Sequence, residues 1–179
     1  MALIGFVGAP FTMACYLTEG RGSKNWDTTR KLMHSDPAMF QALLAKIARC
    51  QRPLVQALVA AGCDAVQVFD SWASVLSSQD WAMHCAEHTD MLLQTACDAD
   101  AIAIHYVNGA AQHIDRMSQS PAHVLGVDWR LPIAEVRRRA PEQQPATSES
   151  GRLPRPASER FASWNPCRSR PDAQPLDAP

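Results

Sequence analysis

The chain has 179 residues, of which 46% are hydrophobic and 20% charged, a composition typical of a globular domain with a sizeable core. Its formal net charge of −1 gives no basic footprint of the kind that binds nucleic acid or an anionic membrane. No apolar run approaches the roughly 20 residues of a membrane span, and the six cysteines form no C-x-x-C pair, so we expect reduced thiols and a cytoplasmic protein.

The apolar opening of the chain differs from a secretory leader in two respects. No basic residues precede the apolar run, and Gly8-Ala9-Pro10 interrupts it after seven residues. A short apolar run closed by turn-forming residues is typical of a buried strand. We therefore predict a strand over residues 2–7 and a turn at Gly8-Ala9-Pro10.

A long helical pattern comes next. Ser35 or Asp36 can cap its first turn, and Gly62 ends it. Pro53 lies inside the pattern and removes one backbone donor, so we expect a kink or a break at this residue.

Strand and helix signals then alternate as far as Ala140. Because the apparent strands are almost continuously apolar and their connections can hold helices, the pattern predicts an α/β fold with a parallel sheet covered by helices. The predicted strands are residues 65–70, 101–107 and 123–129, and the predicted helices are residues 78–97, 109–117 and 131–139.

The composition changes abruptly after Ala140. Residues 141–179 hold eight of the thirteen prolines and show no hydrophobic periodicity. We predict that residues 1–140 form the folded domain and that residues 141–179 are a Pro-rich, disordered tail. We favour a non-native end, such as a truncation or frame-shifted terminus, over a partner-docking polyproline segment.

Polar side chains near the strand ends are the candidate ligand contacts, because parallel α/β folds bind ligands beyond the carboxyl ends of their strands. Tyr16 offers a phenol, Ser71 a hydroxyl, and Asp70 and Asp128 carboxylates, while Arg21 could clamp a carboxylate ligand. Loops are polar in any protein, so this pattern alone does not separate ligand contacts from ordinary loop residues.

A metal site is the competing chemistry. His84 and His88 stand four residues apart with Cys85 between them, and thiolate and imidazole groups suit zinc. Glu87 is at the wrong offset for H-E-x-x-H, and histidines on a surface helix are more often solvated or capping groups. We therefore predict no native metal site.

Three sequence blocks carry a family resemblance. LIGFVGAPFTMACYLTEGRGS near the start, FDSWAS after the second predicted strand and VLGVDWRLPIAEVRRR after the fourth resemble, in the same order, blocks of uroporphyrinogen decarboxylase. The third strand's IHYVNG resembles a more variable block of bacterial members. The resemblance covers residues 2–140 and implies a partial (β/α)8 TIM barrel of about four βα units.

The resemblance also implies a reaction. Members of this family are cytoplasmic homodimers that decarboxylate the four acetate side chains of a tetrapyrrole substrate, uroporphyrinogen, to give coproporphyrinogen in heme biosynthesis. They use no cofactor, because a protonated pyrrole ring accepts the electrons that the departing carboxylate leaves behind. The site of such a lyase must bind a polyanion and stabilise a cationic ring.

Three residues of this chain match substrate contacts of the family. The resemblance implies that Tyr16 contacts the substrate, that Ser71 binds a substrate carboxylate, and that Phe6 forms the wall beneath the tetrapyrrole together with the Gly8-Ala9-Pro10 turn. Asp70 matches an acidic position next to that serine and receives no role.

The chain also departs from the family pattern. The M-R-Q-A-G-R block, the aspartate that gathers the pyrrole N–H groups, and the late N-x-G-H-G block have no match, so the catalytic residues stay unknown. A half barrel has two open edges and an exposed apolar face. We therefore expect the isolated chain to be an inactive and poorly stable fragment.

Two alternatives remain open. Corrinoid-dependent methyltransferases share the barrel and bind zinc through a block resembling H-x-C-G. The corresponding residues here are His105-Tyr106-Val107-Asn108-Gly109, with Val107 in place of the cysteine. The other alternative is a non-catalytic, truncated product whose tail binds a partner.

Overall fold

A computed structural model describes residues 2–142 and 144–147 of the chain. The five strands of this part are all parallel and stand in the sheet in the order in which they occur along the chain. Sequential order without reversal is the arrangement of a barrel rather than of a doubly wound sheet. The α/β prediction and the likeness to a partial TIM barrel are confirmed. The strands are β1 Ile4–Gly8, β2 Ala65–Asp70, β3 Ile102–Val107, β4 Val124–Val127 and β5 Gln144–Thr147.

Helices connect the strands and cover one face of the sheet. None of those in the described residues is long and apolar enough to cross a membrane. They are α1 Pro10–Glu19, α2 Asp27–Ser35, α3 Pro37–Ala60, α4 Ser78–His84, α5 Ala86–Asp98, α6 Ile114–Met117 and α7 Ile133–Arg139.

The first connection differs from the sequence-based expectation. Pro10 opens α1 directly after β1, because its fixed φ suits the first helical position and its missing N–H would be unpaired there in any case. The Gly8-Ala9-Pro10 segment is therefore the entrance to a helix, and the sequence signal of α1 was missed. The predicted helix over residues 78–97 is also two helices, α4 and α5, which meet at Cys85.

The α3 helix runs without interruption through Pro53, so the alternative of a break is wrong. Pro53 is exposed, as is Arg49, whose carbonyl would otherwise accept its hydrogen bond. Water can satisfy that carbonyl, which makes an unbroken helix tolerable there. The helix begins as predicted, because the Asp36 carboxylate accepts a hydrogen bond from the Met39 N–H at 3.0 Å.

The two faces of the sheet differ in burial. Val66 and Val68 of β2 point towards the helices and belong to the main core. The opposite side, which we call the inner face, corresponds to the interior of a closed barrel. Its centre is a small buried cluster of Ala65, Ile104 and Val124. The inner face of β1 is exposed at Ile4 and Phe6.

The fifth strand lies in the segment that the sequence predicted to be disordered. It pairs in parallel with β4, from Val124 opposite Gln144 to Val127 opposite Thr147. Strand β5 thus stands beyond the domain end that the sequence predicts at Ala140, and no hydrophobic periodicity marked it, because backbone pairing with an open sheet edge requires none. Pro145 is compatible with this outermost strand because an edge strand tolerates a missing donor. The remainder of the predicted tail, residues 148–179, lies outside the described residues.

Candidate functional site

The loops after β1, β2, β3 and β4 meet at one edge of the sheet, which we call the mouth. Parallel strands place all their carboxyl ends on this side. The α1 helix after β1 carries Tyr16, and Ser71 follows β2 directly. Asn108 follows β3, and Arg130 lies in the loop after β4. The sequence-predicted contacts Tyr16 and Ser71 thus belong to neighbouring connections.

Tyr16 belongs to an aromatic cluster with Trp26 and Trp72. Its ring stands edge-on to Trp26 at a centroid distance of 5.3 Å and to Trp72 at 6.1 Å, and the two indoles are 4.9 Å apart. These contacts hold the ring, yet 45% of the residue remains exposed. The phenol forms no hydrogen bond within the described residues. Tyr16 is therefore fixed in position with a donor available to a ligand.

Trp26 is the buried member of this aromatic cluster and packs against both other rings. It is fully buried and has a left-handed backbone with φ 54°, which is uncommon for a residue other than glycine. Its N–H donates to the Ser23 hydroxyl at 3.1 Å, which helps to hold the turn before α2. Neither Trp26 nor Trp72 was singled out in the sequence, although Trp72, two residues after the end of β2, lies where ligand contacts are expected.

Ser71 lies half-buried at the end of β2. Its carbonyl accepts a hydrogen bond from the Asn108 side-chain amide at 3.4 Å, which links the loops after β2 and β3. Its hydroxyl has no hydrogen-bond partner in the part of the chain that the structure describes. A serine hydroxyl in this state can donate to a carboxylate ligand.

Asp70, by contrast, points away from the mouth into the helix layer. Its carboxylate accepts hydrogen bonds from the Thr12 hydroxyl on α1 and the Trp81 indole N–H on α4, both at 2.8 Å. Complete burial raises the pKa of Asp70 to about 6, although both hydrogen bonds oppose this rise. Asp70 therefore joins α1, which carries Tyr16, to the end of β2, which Ser71 follows directly.

Phe6 lies on the inner face, where the resemblance predicts the wall beneath the substrate. It is 68% exposed, and its ring centroid is 5.9 Å from that of Phe69 on β2. Gly8, at the end of the same strand, is closely covered, since a Cβ there would come within 2.8 Å of the Met13 sulfur. Phe6 and Phe69 provide an apolar floor below the mouth, and Phe69 is a contribution that the sequence reasoning missed.

Asp128 organises the far side of the mouth. Its buried carboxylate accepts hydrogen bonds from the Gly109 N–H at 2.6 Å, the Arg130 N–H at 2.9 Å and the Arg130 guanidinium at 2.9 Å. Burial acts to raise the pKa of Asp128, but these donors outweigh it and lower the pKa below the ordinary value. Gly109 is required at this turn, because its φ is 77° and a Cβ would lie 2.7 Å from that of Ser74.

The two histidines considered for zinc bind Gln41 instead. Its side-chain amide donates to the His84 carbonyl at 3.0 Å, and its side-chain oxygen is 2.7 Å from His88 Nε2. Cys85 is buried, and burial raises the pKa of its thiol. Within residues 2–142 and 144–147, no three His, Cys, Asp or Glu side chains are grouped so that they could hold a metal ion. These contacts join α3 to α4 and α5.

Comparison with known proteins identifies the family. Residues 1–147 match the family model described as uroporphyrinogen decarboxylase (URO-D). Among curated proteins, the chain is 38% identical over 135 residues to a uroporphyrinogen decarboxylase of Pelobacter propionicus, covering 75% of this chain and 40% of the relative. It is 40% identical over 147 residues to one of Saccharopolyspora erythraea, covering 80% of this chain and 40% of the relative. The chain thus spans about two fifths of the length of these relatives.

A solved structure supports the fold alone. A methyltransferase from Methanosarcina mazei matches with a TM-score of 0.69, covering 88% of this chain and 47% of that protein, at 14% identity. At this low sequence identity, the match supports a shared barrel-like fold but not a shared activity. The family match over residues 1–147 and the identities of the curated relatives are decisive, and the chain belongs to the uroporphyrinogen decarboxylase family.

Proposed function

We propose that this chain forms part of the site at which uroporphyrinogen is bound and decarboxylated to coproporphyrinogen. The observation that carries this proposal is the pair of hydroxyls, those of Tyr16 and Ser71, that have no hydrogen-bond partner among the described residues and lie at a mouth whose floor is apolar. A tetrapyrrole presents an apolar macrocycle and a rim of carboxylates. Phe6 and Phe69 suit the macrocycle, and the hydroxyls suit the rim.

The reaction sets clear tasks for such a site. Protonation of a pyrrole carbon makes the ring electron-poor, and the electron pair of the breaking C–C bond then enters the ring as carbon dioxide leaves. A proton finally takes the place of the carboxylate, and the ring loses the one it gained. Hydrogen bonds to the other carboxylates orient the substrate for this step. Asp70 is not the proton donor in this scheme, because it lies buried between Thr12 and Trp81.

The proposal extends to the compartment, the oligomeric state and the cofactor requirement. Family membership supports a cytoplasmic homodimer that acts without a cofactor, as the resemblance implies. The tetrapyrrole is the partner that the mouth would recognise.

A chimera tests the proposal. The matching 135 residues of the Pelobacter propionicus relative are replaced by those of this chain, and the carboxylate content of the products from uroporphyrinogen is followed by chromatography. We expect the chimera to form coproporphyrinogen, and Tyr16→Phe or Ser71→Ala to lower kcat/KM about tenfold or more, since each loses a hydrogen bond to a charged group. Ser35→Ala, at the exposed end of α2, is the control. A folded chimera without decarboxylation would contradict the proposal.

The methyltransferase alternative is favoured by one observation, the fold shared with the Methanosarcina mazei protein. That chemistry requires a zinc-bound thiolate, whereas Val107 occupies the expected cysteine position. His105 of the same block faces the helix layer, where its ring stacks on Trp81 at 5.8 Å and burial lowers its pKa to about 3. Metal analysis of the purified chain decides between the two functions, since stoichiometric, tightly bound zinc would favour the methyltransferase.

A further inference from the structure

We propose that Arg130 is an additional carboxylate-binding residue of the mouth, with Asp128 and Asn108 holding its guanidinium in place. The inference rests on the proposed function and adds a cationic subsite to it. The resemblance assigns carboxylate binding in this chain to Ser71, and it places the arginines of the family in a block that has no match here.

Arg130 lies close to Ser71, across the side chain of Asn108. One guanidinium nitrogen of Arg130, Nη1, donates to the side-chain oxygen of Asn108 at 3.4 Å. The amide nitrogen of the same Asn108 side chain donates to the Ser71 carbonyl at 3.4 Å. Only one amide group thus separates Arg130 from the serine at the end of β2. A ligand with several carboxylates around its rim could reach both residues.

The guanidinium of Arg130 is only partly occupied by hydrogen bonds within the described residues. Its Nη1 also donates to Asp128 at 2.9 Å, while Nε and Nη2 have no hydrogen-bond partner within the described residues. The planar group lies over the Trp129 ring at 4.9 Å from the centroid, and half of the side chain is exposed. Two adjacent donors are therefore left for the bidentate geometry that suits a carboxylate.

Asp128 forms an ion pair with Arg130 through one guanidinium nitrogen, Nη1. Asp128 leaves the other guanidinium donors of Arg130 available, because the backbone N–H groups of Gly109 and Arg130 also stabilise its carboxylate. It also fixes the guanidinium before a ligand arrives, which reduces the side-chain entropy lost on binding. Arg116 and Arg139, in the helix layer, are occupied by Asp90 and Asp115.

Binding of uroporphyrin, the stable oxidised form of the proposed substrate, tests the inference on the 179-residue chain. Quenching of tryptophan fluorescence reports binding, because Trp26, Trp72 and Trp129 lie at the mouth. We expect Arg130→Gln to raise Kd about tenfold or more and Arg130→Lys to have a smaller effect, because lysine keeps the positive charge but lacks the two adjacent N–H donors of the guanidinium. Asn108→Ala, which removes a positioning contact but no charge, should give a partial loss.

The matched control is Arg49→Gln, which removes one exposed positive charge from α3, in the helix layer. Arg130→Gln should also flatten the dependence of log Kd on log salt, whereas Arg49→Gln should leave it unchanged, a difference that a purely structural role for Arg130 would not produce. Equal Kd values for the two Gln variants would overturn the inference, while a weakened Ser71→Ala variant in that experiment would leave the proposed function standing. No saturable binding by the unaltered chain would overturn the inference, whereas the chimera tests the proposed function separately.

Discussion

At the scale of single residues, two acidic side chains of the strand ends have opposite environments. Asp128 faces the mouth and is ionised more readily than usual, because backbone N–H groups and Arg130 bind its carboxylate. Asp70 is enclosed by protein, and its two hydrogen-bond donors in the described part of the chain, Thr12 and Trp81, are neutral. Burial therefore dominates for Asp70, and its pKa rises to about 6.

The raised pKa of Asp70 predicts a pH-dependent stability. The folded protein holds the Asp70 proton more tightly than the unfolded chain, whose aspartate titrates near pH 4. The free energy of unfolding therefore falls as pH rises from about 4 to about 6. Above that range, the ionised Asp70 lowers the free energy of unfolding by about 3 kcal/mol. Asp70→Asn removes this titration and can keep an acceptor for Trp81. In urea unfolding, we expect the free energy of unfolding of the variant, relative to that of the unaltered chain, to rise by about that amount between pH 4 and pH 7. Parallel stability curves for the two proteins would contradict this.

At the scale of elements, the sequence patterns identified the first four strands better than the helices. β2 was predicted residue for residue, because its apolar run is bounded by polar residues. The α1 helix was missed, since its apolar residues follow β1 without a polar boundary and its start resembles a turn. The break at Cys85 was missed too, because helical periodicity continues through α4 and α5. Periodicity reports a preferred local conformation, whereas the ends of an element depend on what packs against it.

Pro53 provides a prediction for α3. Replacement by alanine restores the N–H that can bond to the Arg49 carbonyl and removes the clash of the proline ring with the preceding turn. We expect Pro53→Ala to raise the free energy of unfolding by about 1 to 3 kcal/mol, measured by urea denaturation. Ala57→Gly, one turn further along the exposed side, should lower it by about 1 kcal/mol and so shows that this part of α3 responds to helix propensity. An unchanged or lower stability of Pro53→Ala would show that the packing of α3 depends on the proline.

At the scale of the whole molecule, the helices of the described residues cover the sheet on one face only. Ile4 and Phe6 are exposed on the inner face, beside the small cluster of Ala65, Ile104 and Val124. A closed barrel would enclose these side chains. The prediction that the isolated chain is poorly stable follows from this exposed apolar surface and from the open edge at β1.

The inner face can be tested by its affinity for an apolar dye. Phe6→Ser should reduce the fluorescence of bound anilinonaphthalene sulfonate and the light scattering of the concentrated chain, because it removes the most exposed aromatic group of this face. Leu54→Ser, a comparable change at an exposed position of α3, is the control and should have a smaller effect. Equal reductions in the two variants would show that the inner face has no special role.

The sequence by itself indicated the first four strands, the long helix α3 and the family, and it proposed Tyr16 and Ser71 as ligand contacts, because these features are written in local patterns and contiguous motifs. Only the tertiary structure decided that Asp70 turns away from the mouth and that Asn108 joins Ser71 to Arg130. Those contacts connect residues that are 22 to 58 positions apart. Which side chains meet across such separations depends on the register of the parallel strands and on the packing of the helices against them, and no local periodicity encodes either.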